Sequence, residues 1–222
     1  MSDFQRGKLY DLLAVSPLVG WYIFSLFGLV PQLAALLHHY AVAHDLRSGF
    51  SAASMIATLA FLVVQILLSL IRVPPQQFSP NWLSRIVALA GANMGLALLL
   101  LHRVELPLFM QAVSAGLTTF GLIASVYVAS RLGRAFSVFP QARRLVTAGP
   151  YKHIRHPLYL TEQIALFGVM LQYQQPWALL IALAFLALHL RRMDYEERVL
   201  GEAYPAYREY AERTARLIPG IY

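Results

Sequence analysis

Residues 50–71 read FSAASMIATLAFLVVQILLSLI, an apolar run in which Gln65 is the one strongly polar interruption. A helix rises about 1.5 Å per residue, so roughly 20 apolar residues cross the hydrocarbon of a bilayer. The stretch therefore reads as a membrane-spanning helix. Working outward, similar runs occupy Leu12–Leu37, with Pro17 near its start and Pro31 near its end, then Leu83–Leu101 and Leu106–Ser130. Between the second and third lies RVPPQQFSPNW (72–82), whose prolines mark a loop. Two shorter apolar pieces, Leu158–Gln172 and Trp177–Leu190, are separated by YQQ and Pro176 and read as a helical hairpin, the first piece short enough to be tilted or re-entrant.

Composition agrees with this reading. Of 222 residues, 58% are hydrophobic and 13% charged, whereas a soluble domain carries about 25% charged residues. Too little polar surface remains to cover a water-exposed globule. The expected fold is all-α, a polytopic integral membrane protein of five to six helices. Residues 1–130 form four spans, and 131–222 form a catalytic region with a loop, a hairpin and C-terminal amphipathic helices. The first apolar run is longer than a signal-peptide core and is expected to belong to the mature protein. With no cysteine, disulfides and thiolate chemistry are excluded.

Charge sets the expected orientation. With six crossings, the N-terminus, the 72–85 loop, the 131–157 loop and the tail share one side. Of 18 Lys and Arg, only Arg47 and Arg103 fall on the other. Basic loops favour the cytoplasm, so any site among 131–222 is expected to face it, with a bacterial inner membrane as the location. The net charge of +7 accordingly points to anionic lipid, not nucleic acid. Gly91 and Gly95 form a GxxxG, read as a close helix contact. His38, His39 and His44 lie on the far side from the basic loops, and no metal is expected.

The segment LVTAGPYKHIRHPLYL (145–160) carries the most chemistry. Gly149-Pro150 turns the chain, and Pro157 suits the first turn of a helix. Tyr151, His153, Arg155, His156 and Tyr159 collect donors, a cation and rings at that helix start, where the dipole favours an anion. Basic and aromatic residues also anchor helices at the membrane interface, and the residues alone leave both readings open. In RRMDYEERVLGEAYPAYREY (191–210), Arg192 and Glu196 are four apart and share a helical face, which by itself describes a surface pair. Glu162 lies within an apolar segment, where an ionisable group is a functional suspect. His189 reads as a core or interfacial residue.

Together these segments are specific. The pattern GRxFSxxPxxxxLVTxGPYxxxRHPxY (133–159), followed by an apolar hairpin, EExxL at Glu196–Leu200 and a Tyr-rich tail with IPG, resembles the isoprenylcysteine carboxyl methyltransferase family and its phospholipid methyltransferase relatives. The resemblance covers about residues 132–220. It implies an S-adenosylmethionine-dependent enzyme that methylates a lipid or lipid-modified acceptor, most readily a carboxylate. It implies that Arg143, Arg144, Leu145, Val146, Tyr151, His156, Pro157, Leu158, Tyr159 and Glu196 hold the cofactor and that Arg192 faces the acceptor. Alternatives are phospholipid N-methylation, a membrane sterol-type NADPH reductase, and a membrane scaffold.

Overall fold

The computed structural model describes residues 3–220. The side chain of Arg6, counted in the charge asymmetry, and residues 221 and 222 at the end of the expected catalytic region lie outside the described set. Seven α-helices occur among the described residues: α1 (Asp3–Ala43), α2 (Leu46–Ile71), α3 (Trp82–Asn93), α4 (Leu108–Leu132), α5 (Pro157–Met170), α6 (Trp177–Ala203) and α7 (Tyr207–Arg213). The protein is an all-α, polytopic membrane protein. Segments 11–43, 46–71, 82–100 and 108–135 are long and apolar enough to cross a bilayer, matching the four spans read from the sequence. Large apolar side chains such as Phe24, Phe27, Leu100 and Phe109 point outward, as a lipid-facing surface requires.

Local signals explain the helix boundaries. Asp45 caps α2 by accepting from the Arg47 and Ser48 amides at 3.1 and 3.0 Å, satisfying donors that the first turn leaves without partners. Asn81 does the same for α3 through the Leu83 amide. Pro17 and Pro31 sit inside α1 and not at its ends. In hydrocarbon an irregular backbone has no water to bond with, so a proline is better tolerated within a continuous helix than as a break. The third span changes to a 3-10 helix over Met94–Leu100.

The expected hairpin is α5 and α6. At 14 residues, α5 is about 21 Å long, too short alone for a core of about 30 Å. Its tip nonetheless reaches the loop joining the third and fourth spans: the Val104 amide donates to the Gln172 carbonyl at 2.9 Å, and the Gln174 amide to the His102 carbonyl at 3.1 Å. The hairpin thus traverses the bundle from one end to the other. Beyond Leu190, α6 leaves the apolar layer and continues as a charged helix.

Small residues let α5 approach α4. A Cβ at Gly121 would lie 2.5 Å from the Ala165 nitrogen, and one at Gly168 would lie 2.5 Å from Thr118 Oγ1. Ser114 donates to the Gly168 carbonyl at 2.8 Å, and Ser125 donates to Thr161 Oγ1 at 2.8 Å. The Gly91/Gly95 pair acts differently. Gly91 makes room for the Arg192 side chain, whose Cδ a Cβ would meet at 2.8 Å, and Gly95 faces Leu166 at 3.3 Å.

One ionic cluster joins the ends of the long helices to the 133–146 loop. Asp11 on α1 accepts from Arg72 Nε at 2.8 Å and from Arg143 at 2.6 and 3.0 Å, all deeply buried. A two-residue antiparallel ribbon, β1 (Gln77–Phe78) with β2 (Gln141–Ala142), ties the same loop to the 72–81 loop. Removing one partner of such a buried set leaves an uncompensated charge.

The packing predicts a contrast. Gly121→Ala and Gly168→Ala should each destabilise the protein by about 1–3 kcal/mol, the usual cost of overpacking. Gly116→Ala, on α4 like Gly121 but with nothing within 4 Å of its Cβ, should be neutral or slightly stabilising. Thermal melting of the three variants in detergent checks this.

Candidate active site and its relatives

The RHP turn positions the site. Pro157 opens α5 and His156 precedes it, so the side chains of His156, Tyr159 and Glu162 emerge from successive turns toward α6. There α6 presents Phe185, His189, Arg192, Glu196 and Glu197 at helical spacing. Tyr159 donates its hydroxyl hydrogen to Glu196 Oε1 in a very short contact. The second Glu196 oxygen lies 3.9 Å from His156 Nδ1. The His156 and Tyr159 rings stack at 5.6 Å.

Glu197 gathers the loop and the tail. A single oxygen, Oε1, contacts His156 Nε2 at 2.9 Å, Arg155 Nε at 3.1 Å and Arg216 Nε at 3.1 Å. Arg155 also donates to the carbonyls of Ala211 and Thr214, and its own amide bonds to the Ala215 carbonyl at 2.8 Å. Burial alone would raise the Glu197 pKa. The His156 hydrogen bond and charge, with those of Arg155, outweigh burial and hold it near 2, against an ordinary 4.5.

Arg192 is buried. One NH2 donates to the Val138 carbonyl at 3.0 Å, and the guanidinium lies 4.8 Å from the centre of the Tyr159 ring. Such a cation–π contact aligns the group without neutralising it.

These groups wall a cavity of about 560 Å³, within the range of small-ligand pockets. Arg144, Leu145, Val146, Tyr151, His156, Leu158, Tyr159, Arg192 and Glu196 all line it, so most of the residues singled out in the sequence meet in one place. Arg143 also borders it, but its guanidinium is engaged by Asp11 and Gln141. Pro157 is buried in the first turn of α5 and is not part of the wall. The cavity continues between the spans past Tyr22 and Gln65 as far as Leu99 and Arg103, with mostly apolar walls there. Sequence reasoning did not assign α1 and α2 side chains to this wall; a residue facing a cavity and one facing lipid look alike in an apolar run.

Tyr207 and Tyr210 complete the polar end, and the Tyr210 hydroxyl donates to the Tyr151 carbonyl at 2.7 Å. The hydroxyls of Tyr151 and Tyr207 and Nε of Arg192 are buried without a protein partner. Burial raises the Tyr151 and Tyr207 pKa values strongly and takes Tyr210 to about 12. All three phenols stay protonated donors at neutral pH. Buried donors left without partners are uncommon, and here they border the cavity. Among the described residues, no three His, Asp or Glu side chains gather as a metal site.

The depressed Glu197 pKa carries a sign. A carboxylate with a folded pKa below its unfolded value adds stability above the unfolded value and loses it as pH falls through the folded one. The Glu197 contribution should be whole above about pH 4.5 and vanish toward pH 2. Glu197→Gln should lower the melting temperature at pH 7 and flatten its acid dependence between those limits, read by melting curves across pH.

Residues 109–207 match the family model described as phospholipid methyltransferase. Two curated proteins are also similar over 112 residues. The cobalt-zinc-cadmium resistance protein CzcN of Cupriavidus metallidurans is 33% identical, over 49% of this chain and 52% of that protein. The nickel-cobalt-cadmium resistance protein NccN of Alcaligenes xylosoxydans xylosoxydans is 30% identical, over 49% and 53%. The chain thus spans about half the length of these relatives. The matched segment runs from α4 to the start of α7 and contains the RHP turn, the hairpin and the glutamate pair. Residues 109–207 are thus similar to the phospholipid methyltransferase family, within the isoprenylcysteine carboxyl and phospholipid methyltransferase group of membrane enzymes.

Proposed function

We propose that the protein is an S-adenosylmethionine-dependent methyltransferase acting on a lipid or lipid-modified acceptor, with its active site on the cytoplasmic side of the inner membrane. The observation that carries the reading is the cavity itself. One end is lined by donors and carboxylates of the RHPxY and EExxL segments, and the rest is apolar and lies between membrane spans. In this reading residues 131–222 carry the transfer chemistry, and residues 1–130 embed the protein and complete the wall. The basic loops at the polar end support the cytoplasmic orientation.

The residues present fit the cofactor. S-Adenosylmethionine supplies, when bound, a methyl group on a sulfonium sulfur that leaves as a neutral thioether. Buried Tyr151 and Tyr207 hydroxyls offer donors, Glu196 offers a carboxylate to hydroxyl or ammonium groups, and Leu145, Val146 and Leu158 offer an apolar wall. Arg144 and His156 border the same end. Arg143 and Pro157 contribute by position, Arg143 by pinning the loop to Asp11 and Pro157 by starting α5. No metal is required.

In-line methyl transfer asks the protein to hold two partners at near-attack distance and to keep water out. Arg192 faces the junction of the polar and apolar ends. Its Nε has no protein partner, so the guanidinium can orient an anionic group of the acceptor by a charge-assisted bond. A carboxylate acceptor, the class expected from the resemblance, would use this contact directly. A phosphate near an amine head group would use it equally well.

Two measurements on the same preparations test this. Calorimetry with S-adenosylhomocysteine in EDTA should show binding in wild type, strongly weakened in Glu196→Ala and weakened in Tyr159→Phe. Arg192→Ala should keep cofactor affinity near wild type yet lose tens-fold or more in methyl transfer, about 2 kcal/mol or above. Arg192→Lys should recover little if a planar fork is used. An exposed helix pair would be worth only about 0.3–0.5 kcal/mol, so small equal effects on both quantities would remove α6 from the site. No binding and no thermal stabilisation at millimolar S-adenosylhomocysteine would refute the cofactor assignment.

A further inference from the structure

A second concavity, polar and about 500 Å³ in volume, lies across the Glu197 hub from the main cavity. Glu197 borders it and Glu196 does not, while the main cavity has the reverse. Arg155, Arg191, Arg198 and Arg216 line it, against Asp194 and Glu197, and no other charged side chain among the described residues does. The two carboxylates are already held. Glu197 accepts from Arg155 and Arg216 at 3.1 Å each, and Asp194 accepts from Arg216 at 2.5 Å. Two cations remain. Arg191 lies 3.8 Å from Asp194 with its side chain mostly in solvent. Arg198 is exposed and has no hydrogen bond or ion pair among the described residues.

The pocket sits where the chain leaves the apolar layer. Asn81, which caps α3, and Tyr195 on α6 complete its wall. Trp82, next to Asn81, is 69% exposed, as an indole at a membrane interface would be. On α6, Leu180, Leu183, Ala187, Arg191, Asp194 and Arg198 follow one another in steps of three or four, so they share one helix face. The first three are exposed and apolar, and the last three line the pocket. The cytoplasmic preference of basic loops accounts for arginines at this depth. It does not account for a hollow that gathers four of them, two without a close carboxylate, in line with an apolar stripe that faces lipid.

We propose that this pocket binds the phosphate of an anionic bilayer lipid, held by Arg191 and Arg198, with the lipid's chains along the outer face of α6. Guanidinium forks match phosphate oxygens through charge-assisted bonds, and basic pockets beside spans on the cytoplasmic side suit such head groups. Asn81 and Tyr195 offer polar groups to the rest of the head group. A free phosphate ion has the same oxyanion chemistry, but it would leave the apolar half of the stripe without a role. The site does not depend on the methyltransferase reading. It is joined in structure to the main cavity, since Arg155 and Arg216 border the pocket and also hold Glu197. A lipid seated there steadies the tail and the turn before α5 that close the polar end of that cavity.

The test is native mass spectrometry of the whole protein in a non-ionic detergent, titrated with phosphatidylglycerol or with phosphatidylcholine of the same chains. Both lipids carry a phosphate, and only the first has a net charge. Wild type should bind phosphatidylglycerol tenfold or more tightly than phosphatidylcholine, and its melting temperature should rise with the first lipid alone. The double substitution Arg191→Gln with Arg198→Gln should weaken phosphatidylglycerol tenfold or more, the scale of lost bonds between charged groups, and leave phosphatidylcholine unchanged. Arg208→Gln with Arg213→Gln removes the same charge from α7, outside the pocket, and should keep phosphatidylglycerol affinity within twofold. Millimolar inorganic phosphate should not displace the lipid. Equal binding of the two lipids by wild type overturns the proposal whatever the variants do. Equal losses in the two double variants reduce the pocket to general surface charge and overturn it too. Displacement by inorganic phosphate overturns the lipid as occupant and makes the site one for a soluble oxyanion.

Discussion

The convergence on Glu197 holds the polar end of this molecule together. One carboxylate oxygen meets His156 and Arg155 from the loop before α5 and Arg216 from the tail. Each of these segments is irregular, and none could keep its place by helix packing. The charge is only partly buried, so it keeps some hydration while gaining several donors. Such a group is stabilised in its ionised form when its hydrogen bonds outweigh its desolvation. The neighbouring Glu196 has one oxygen bound to Tyr159 and the other 3.9 Å from His156 Nδ1, and its side chain lines the cavity. Two adjacent glutamates thus divide their work, Glu197 building the frame and Glu196 facing the space within it.

A second constraint acts in the apolar layer. Lipid provides no hydrophobic drive between helices, so association depends on close packing and on buried hydrogen bonds. Gly121 and Gly168 bring α5 to van der Waals contact with α4, and Ser114 and Ser125 bond across the same contact. Seated there, α5 turns Tyr159 and Glu162 away from α4 and toward α6. Gly91 then lets α3 pass the buried arm of Arg192. The cavity exists because small residues are spent where helices touch and large ones remain around the space between them.

The location of the cavity joins two solvents. Its polar end lies among basic loops and its apolar end among spans; in the proposed reading a water-soluble methyl donor enters at the first and a lipid chain at the second. The Asp11, Arg72 and Arg143 cluster closes the border between them. It fastens α1, α2 and the 133–146 loop where each leaves the apolar layer. The methyl transfer proposed above would need such a border, because water at the reacting centre would weaken both positioning and electrostatics.

The sequence by itself determined the spans, their order and the segments whose side chains meet around the cavity. Hydrocarbon forces every backbone group into a local bond, so a long apolar run can only be a helix. That is why the four spans and the hairpin were legible, and why RHPxY and EExxL stood out against them. That Arg192 and Glu196 share a helical face was legible too, from their spacing, and both border the cavity without pairing to each other. Tertiary structure alone decided the rest. The pattern cannot distinguish Arg143 facing Asp11 from an arginine facing a ligand, since its partner lies 132 positions away. It cannot distinguish Glu197 as a hub from Glu196 as a wall residue, since neighbours on a helix differ only by a rotation of about 100°. Nor does it reveal which glycines meet which helix, or that Glu162 and His189 face each other across the hairpin. Those facts depend on the rotation and depth of each helix, which packing sets and composition does not.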